Sequence, residues 1–390
     1  MDKIWNYKNF NMVNELDIAG EFIYDGIQTL NQMNSISSEA SIFSFLYHIS
    51  VGIERLQKII LVLFEDITLE NYEEFEKSLI THSHGYLHER ISKKVNLDFN
   101  SRENEFLTLL STFYNHSRYN RFNLNASLNH EKELLEEYIL KYVNEKSINR
   151  SITSRDILVN NKIKDLFGKV VGRISSKYYK VLRDVANEKC TYTYELRSDS
   201  KAEKIFLSNY EKKSLIDLKI TETIAFKELL VFISNTKERN PFFRFFKKIP
   251  PLKLDSALVN EYLMEISKGE IPQALIDEVE CIYEENGYGG ERIEQINLVG
   301  NCYVMFEHGE IIECIKFAES FLSNNTNAQY FAGKFPVKIR QIKDGDFLEF
   351  TFNIRSACKD FINLKIAQKE LIEHVKTFIE EAKDMYQFLF

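Results

Sequence analysis

The sequence predicts a mainly α protein: an N-terminal helical bundle, a helical continuation and a C-terminal α+β domain. Three observations lead there. The 390 residues include only 14 Gly and 5 Pro, too few to punctuate a many-turned all-β chain. Apolar residues recur at intervals of three and four through most of the first 190 positions. Alternation of apolar and polar residues, the mark of half-buried strands, becomes prominent only in the last third. A chain of this length exceeds one ordinary core, so residues 1–150 are expected to form the bundle, 151–190 its continuation and 191–390 the α+β domain.

The elements follow in order. Over residues 40–65, Ile42, Phe45, Ile49, Ile53, Leu56, Ile60 and Leu63 share one helical face, with Ser37 or Ser38 ahead as the cap. Residues 71–91 read as a second helix carrying His82, His84 and His88 on its polar face. Residues 103–115 and 131–144 complete an up-and-down bundle with short connections. NRSITS (149–154) is polar and turn-like, a domain boundary. A long helix over 163–188 follows, with Leu166, Val170, Val171, Ile174, Tyr178 and Leu182 as its stripe. TYTYEL (191–196) reads as a strand, 220–234 as a helix, 296–306 as a strand, and the residues through 323 as a helix. Residues 335–342 and 347–352 flank an Asp-Gly turn and make the clearest hairpin in the chain, ahead of a closing helix over 364–390.

Composition excludes several classes. Hydrophobic residues at 44% and charged ones at 28% describe a globular chain rather than a disordered one. The net charge of -8 argues against a bulk nucleic-acid coat protein and leaves room only for a local basic patch. Cys190, Cys281, Cys302, Cys314 and Cys358 are odd in number with no pair at CxxC spacing, which disfavours a disulfide framework or a structural zinc. The start, MDKIWNYKNFN, has no apolar signal-peptide core, and the longest apolar run, IILVLF (59–64), is far short of a membrane span. A cytoplasmic protein with no membrane partner is expected, and neither a cofactor nor a metal is called for.

Three short segments carry chemistry-bearing residues in the first 130 positions: GIERLQK (52–58), THSHGYL (81–87) and SRYNR (117–121). Together they resemble the HEPN family of helical bundles, common in prokaryotic toxin and phage-defence systems. The resemblance covers about a third of the chain. It implies an RNA-directed or nucleotide-related protein, often dimeric through this bundle. One departure matters. Ribonuclease members carry Arg, four to six residues, then His, so that imidazole moves the proton while guanidinium stabilises developing charge. None of His48, His82, His84, His88, His116, His130, His308 and His374 has an arginine at that spacing ahead of it. His116 and Arg118, within YNHSRYNRFN (114–123), remain candidates for proton carrier and phosphate clamp, because the chemistry needs proximity rather than chain order. Arg121 joins them as a nucleic-acid contact. The plainer reading pairs Arg118 and Arg121 with Glu54 or Glu89 and packs Tyr119 and Phe122.

The remaining motifs are each weighed the same way. His84 and His88 share a helix face, yet no HExxH accompanies them, so a solvated or hydrogen-bonded face is preferred to a metal. Residues 237–253 (KERNPFFRFFKKIPPLK) interleave four phenylalanines with six cations and one acid. Arg244, Lys247 and Lys248 fit phosphates and Phe243 and Phe245 fit base stacking, whereas the plainer reading is a loop pinned to the core by its phenylalanines. A membrane-surface helix there is disfavoured by Pro241, Pro250 and Pro251. Ser198 or Ser200 is expected to cap a helix, and GYGG (287–290) to be a turn rather than a phosphate loop.

The expected function is a nucleic-acid-associated or partner-binding subunit of a prokaryotic defence or toxin system, without the ribonuclease motif. RNA or another single-stranded nucleic acid, and a protein partner or second copy docked on the N-terminal bundle, are the expected partners. The alternative is a metal-independent endoribonuclease using His116 and Arg118.

Overall fold

The computed structural model describes residues 3–117, 122, 124, 130–198, 200–207, 214–238, 241–287, 290–297, 299, 337–341, 347–352, 363–367, 376, 380 and 383. Helix α1 (Lys3–Asn6) passes through a π-helical turn (Tyr7–Asn11) straight into α2 (Met12–Gln32). Met12, Leu16, Ala19, Ile23, Ile27 and Leu30, spaced by three and four, form the buried face of α2. That face lies along α3 (Glu39–Phe64), whose first turn is capped by the Ser38 hydroxyl accepting from Ser41 N. Helix α3 is the axis of the unit. From Ile49 to Leu63 it is buried on almost every side, so its apolar positions run all round rather than in one stripe.

Around it stand α4 (Tyr72–Ser78), α5 (His84–Ser92), α6 (Ser101–Thr112, prolonged by a π-helical turn, Phe113–Ser117) and α7 (His130–Tyr142). A reciprocal box starts α6: Asn100 Oδ1 accepts from Glu103 N, and the Glu103 carboxylate accepts from Asn100 N. A two-residue antiparallel ladder pairs β1 (Asn149–Arg150) with β2 (Ile157–Leu158). Helix α8 (Asn161–Glu188), capped by Asn160, then packs against α3. Phe167 on α8 meets Phe45 at 5.4 Å and Phe106 at 6.0 Å between ring centroids. Burying each such side chain contributes roughly 1.5–3 kcal/mol.

Helix α9 (Lys201–Phe206), capped by Ser200 as expected, packs on α2, and α10 (Leu215–Asn235) follows. A single carboxylate joins the three. Glu222 accepts from the Tyr24 hydroxyl at 2.7 Å, from Lys204 at 2.9 Å and from Lys219 at 3.0 Å. The Lys219 ammonium sits 3.3 Å from the centre of the Tyr24 ring. Burial lowers the pKa of Lys219 and raises that of Tyr24, so the joint is assembled with the phenol neutral.

The chain divides into two compact units, Met1–Val231 with Met264–Glu270, and Phe232–Leu263 with Ile271–Phe390. The later elements are α11 (Pro241–Lys248), α12 (Val259–Ser267), α13 (Gln273–Asn286) and α14 (Gly290–Asn297). Gly287 ends α13 in the left-handed region at φ 61°, where a side chain would be strained. The strands β3 (Val337–Gln341), β4 (Phe347–Phe352) and β5 (Asn363–Ala367) form an antiparallel sheet in that order, with Phe350 facing Ile339 on one side and Leu364 on the other.

The mainly helical class holds, and among the described residues the strands before position 190 amount to the β1–β2 ladder. Several elements differ from expectation. Helix α2 adds an element to those expected, with apolar residues spaced by three and four. The helix expected over 71–91 is broken between α4 and α5. Residues 191–196 form no strand: Tyr192 N donates to Asn9 Oδ1 at 2.8 Å and the Thr193 hydroxyl to Lys8 O at 2.5 Å, so side-chain bonds replace a ladder. The closing helix does not begin at 364, because Asn363-Leu-Lys-Ile-Ala367 alternates with period two and joins the sheet. Lys376, Glu380 and Lys383 are helical. Ile296 and Asn297 end α14 instead of opening a strand. Val299 is in a turn, its N–H donating to Ile296 O at 3.0 Å; the other residues of that expected strand, the helix through 323 and the turn at 343–346 lie outside the described residues.

Candidate functional site

The break between α4 and α5 has a local cause. Ser83 adopts extended backbone (φ -81°, ψ 98°), and its hydroxyl accepts from Tyr86 N, starting a new helix. His82 is thereby left before the cap with 49% of its side chain exposed, while His84 after it is fully buried.

His82 lines a groove of about 640 Å³ between α2, α3 and the π-helical end of α6. Glu54 of α3 reaches into it with both carboxylate oxygens engaged, Oε1 accepting from Lys58 Nζ at 2.7 Å and Oε2 lying 3.0 Å from His82 Nδ1. A carboxylate only accepts, so Nδ1 carries the proton and Nε2 is left as the basic nitrogen of the ring. The His82 ring rests on Tyr114 with centroids 4.6 Å apart, and Tyr114 stacks on Tyr47 at 6.3 Å and an interplanar angle of 11°. Arg55 lies over the Phe22 ring at 5.7 Å and is tied to Glu15. Aromatic faces, an oriented imidazole and two cations, each paired with an acid, thus line one groove. Such a set offers stacking faces to a planar ring and a nitrogen that can move a proton.

Beneath the groove the other two histidines form a closed chain of hydrogen bonds. Gln57 Nε2 donates to His84 O at 3.0 Å and to Tyr178 Oη at 2.7 Å, which leaves Gln57 Oε1 to accept from His84 Nδ1 at 3.1 Å. The Tyr178 hydroxyl, having accepted, donates to His88 Nδ1 at 2.8 Å. His84 is therefore neutral and protonated on Nδ1, with Nε2 buried and lacking a hydrogen-bond partner. Burial holds its pKa down to about 4, and burial lowers that of His88 as well.

The other site residues expected from sequence divide as follows. Tyr114, the first residue of YNHSRYNRFN, lines the groove. The backbone of His116 lies two residues on, in the same π-helical turn. Its side chain, and all of Arg118 and Arg121, lie outside the described residues. Phe122 is 88% exposed and does not pack, contrary to the plainer reading of that stretch. Glu54 is engaged by Lys58 and His82, and Glu89 by Lys93 at 2.8 Å.

The basic aromatic segment is a correction, since α11 makes helix of what read as a loop. Pro241 occupies the first helical position, where no intrahelical N–H is needed. Phe243 is buried with its ring edge-on to Phe232 at 5.9 Å, whereas Phe246, Lys247 and Lys248 are exposed and Lys247 Nζ donates to Thr236 O at 3.2 Å. The side chains of Arg244 and Phe245 lie outside the described residues.

The sequence names Glu54 only within GIERLQK and as an ion-pair partner for Arg118 or Arg121, and does not single out Tyr47. A signal for Glu54 existed: an acid on a helix apolar all round must be buried, and a buried carboxylate needs a partner. No family model, curated protein or solved structure matches this chain. Among the described residues no helix is long and apolar enough to cross a membrane.

Proposed function

We propose that the protein is a nucleic-acid-associated subunit of a prokaryotic defence or toxin system, acting in the cytoplasm on RNA or another single-stranded nucleic acid. The setting is what the family resemblance implies, together with a protein partner or second copy docked on the N-terminal bundle. The observation that carries the reading is the stacked pair Tyr47–Tyr114 beside Arg55, Lys58 and His82 in one groove. Arg244, Lys247 and Lys248 are proposed as a second set of phosphate contacts.

Fluorescence anisotropy with a single-stranded RNA tests this. Tyr114→Ala is expected to weaken binding by roughly 1–3 kcal/mol, the worth of one stacked base, when measured well below the melting temperature of the variant. Affinity is also expected to fall steeply as salt rises. Binding that ignores salt, or that Tyr114→Ala leaves intact, removes the groove from consideration.

The Glu54–His82 pair favours a second reading, metal-independent RNA cleavage, in which His82 joins His116 and Arg118 as a candidate. Under the leading reading RNA stays intact with or without EDTA. Should it be cut in EDTA, substituting the residue that carries the proton is expected to lower the rate by about 10²–10⁴-fold, and comparing His82→Ala with His116→Ala identifies it.

A further inference from the structure

A second concavity, of about 350 Å³, lies between the start of α6, the end of α7 and the first half of α8. Its lining holds four cations, Arg102, Lys162, Lys169 and Arg173, against two carboxylates, Glu103 and Asp165. Both carboxylates are already neutralised. Glu103, 1% exposed, is bonded to Lys177 Nζ at 2.7 Å and to Asn100 N at 2.9 Å, and Asp165 to Lys169 Nζ at 2.7 Å. Three cations remain. Arg102 covers the Tyr142 ring at 5.2 Å, and Lys162 donates to the neutral Ser147 hydroxyl at 2.8 Å. Among the described residues none of Arg102, Lys162 and Arg173 has a carboxylate within salt-bridge distance.

Three unneutralised cations around one small hollow repel one another, and this happens in a chain whose net charge is -8. The first-turn amides of α6 and α8 are not what would hold an anion, since Asn100 and Asn160 already accept from them. Recognition falls to the side chains. The hollow is also not purely polar: Val143, Leu166 and Val170 line it beside Tyr142. A bare inorganic anion would satisfy the charges and leave that apolar surface wet. The volume suits a single small molecule.

The geometry points to this hollow as a binding site for a phosphate monoester of nucleotide size, its phosphoryl group held by Arg102, Lys162 and Arg173 and its organic body set on Val143, Leu166 and Val170. Arginine suits the role because its planar fork matches phosphate oxygens and its charge is permanent. The site is lined by different residues from the α3 groove and does not depend on it.

Isothermal titration of the full chain with adenosine 5′-monophosphate, adenosine and inorganic phosphate tests the assignment. The monophosphate is expected to bind at least about tenfold more tightly than either fragment, because only it engages both halves of the hollow. Arg173→Ala and Lys162→Ala, each checked for an unchanged melting temperature, are expected to weaken it by about tenfold or more apiece. Neither should change RNA binding by the α3 groove, so failure here is separable from failure there. Absent heat with the monophosphate, equal affinity for adenosine, or an affinity that both substitutions leave intact overturns the proposal.

Discussion

Gly20→Ala is expected to destabilise the fold by about 3 kcal/mol, the upper part of the range for overpacking a core. A Cβ at Gly20 would stand 2.3 Å from Ala202 Cα and 2.4 Å from its Cβ, and the first of these is backbone that no rotamer change can move. Helices α2 and α9 must then separate, which opens the joint held by Glu222. The Tyr24 and Lys204 bonds to that carboxylate weaken together, so the loss exceeds a single clash. Gly52→Ala meets Ile23 Cγ1 at 2.6 Å, the movable part of a side chain, but also Ala19 O at 3.0 Å, and a smaller loss follows. Gly85 supplies the control, since nothing lies within 4 Å of its added Cβ and its position is helical. Gly85→Ala should be neutral or stabilising by up to about 1 kcal/mol. Urea unfolding of the three variants checks the order, and a Gly20→Ala protein as stable as the parent would refute the close packing.

The second large effect is acid sensitivity. His84 binds its proton with a pKa of about 4 in the fold, against 6.5 for an unperturbed histidine. Its folded pKa is depressed for a base, so the unfolded chain binds more protons throughout the interval between those values. Stability therefore rises with pH across that window and is lost as pH falls through it, by about 3 kcal/mol when complete. His88 acts in the same direction. The physical cause is specific: the second proton would enter on Nε2, which has no acceptor, inside a fully buried ring. Urea unfolding at pH 6.5 and pH 5 isolates the histidines from most carboxylates, which titrate lower. His84→Asn, which keeps a donor toward Gln57 Oε1, should start less stable at neutral pH and lose much of the slope. An unchanged slope would remove His84 from the explanation.

What could be read from sequence was whatever a single element states by itself. The stripes of α3, α6 and α8 are spaced by three and four along one chain segment, and all three formed close to their expected limits. The β3–β4 pairing was legible for the same reason, each strand alternating within five or six residues. The break at Ser83 was not. Periodicity continues across it, and only the Ser83 side chain that takes Tyr86 N marks where the second helix begins. TYTYEL alternates like a strand, yet its donors found Lys8 and Asn9, more than 180 positions earlier, at |i−j| of 185 and 183. The groove is illegible on the same ground. His82 and Glu54 are 28 positions apart and Tyr114 lies on a third element, so nothing local announces that they meet. Of the solvated or hydrogen-bonded face expected for His84 and His88, the hydrogen-bonded form is what the fold builds, with both turned inward onto Gln57 and Tyr178.

The first unit is discontinuous. Its chain leaves after Val231 and returns only for Met264–Glu270, where Gln32 Nε2 donates to Lys268 O at 3.0 Å and Thr223 Oγ1 to Ser267 O at 3.1 Å. Synthesis runs from the N-terminus, so a ribosome that has released residue 231 has released a bundle whose last seam is still unmade. Helices α2 and α3 can pair early, their contacts being near in sequence, while closure at Lys268 waits for the excursion between to emerge. A gene fragment cut at the apparent end of the bundle would encode a protein with Gln28 and Gln32 deprived of their shared acceptor. The natural place to divide this chain is past residue 270.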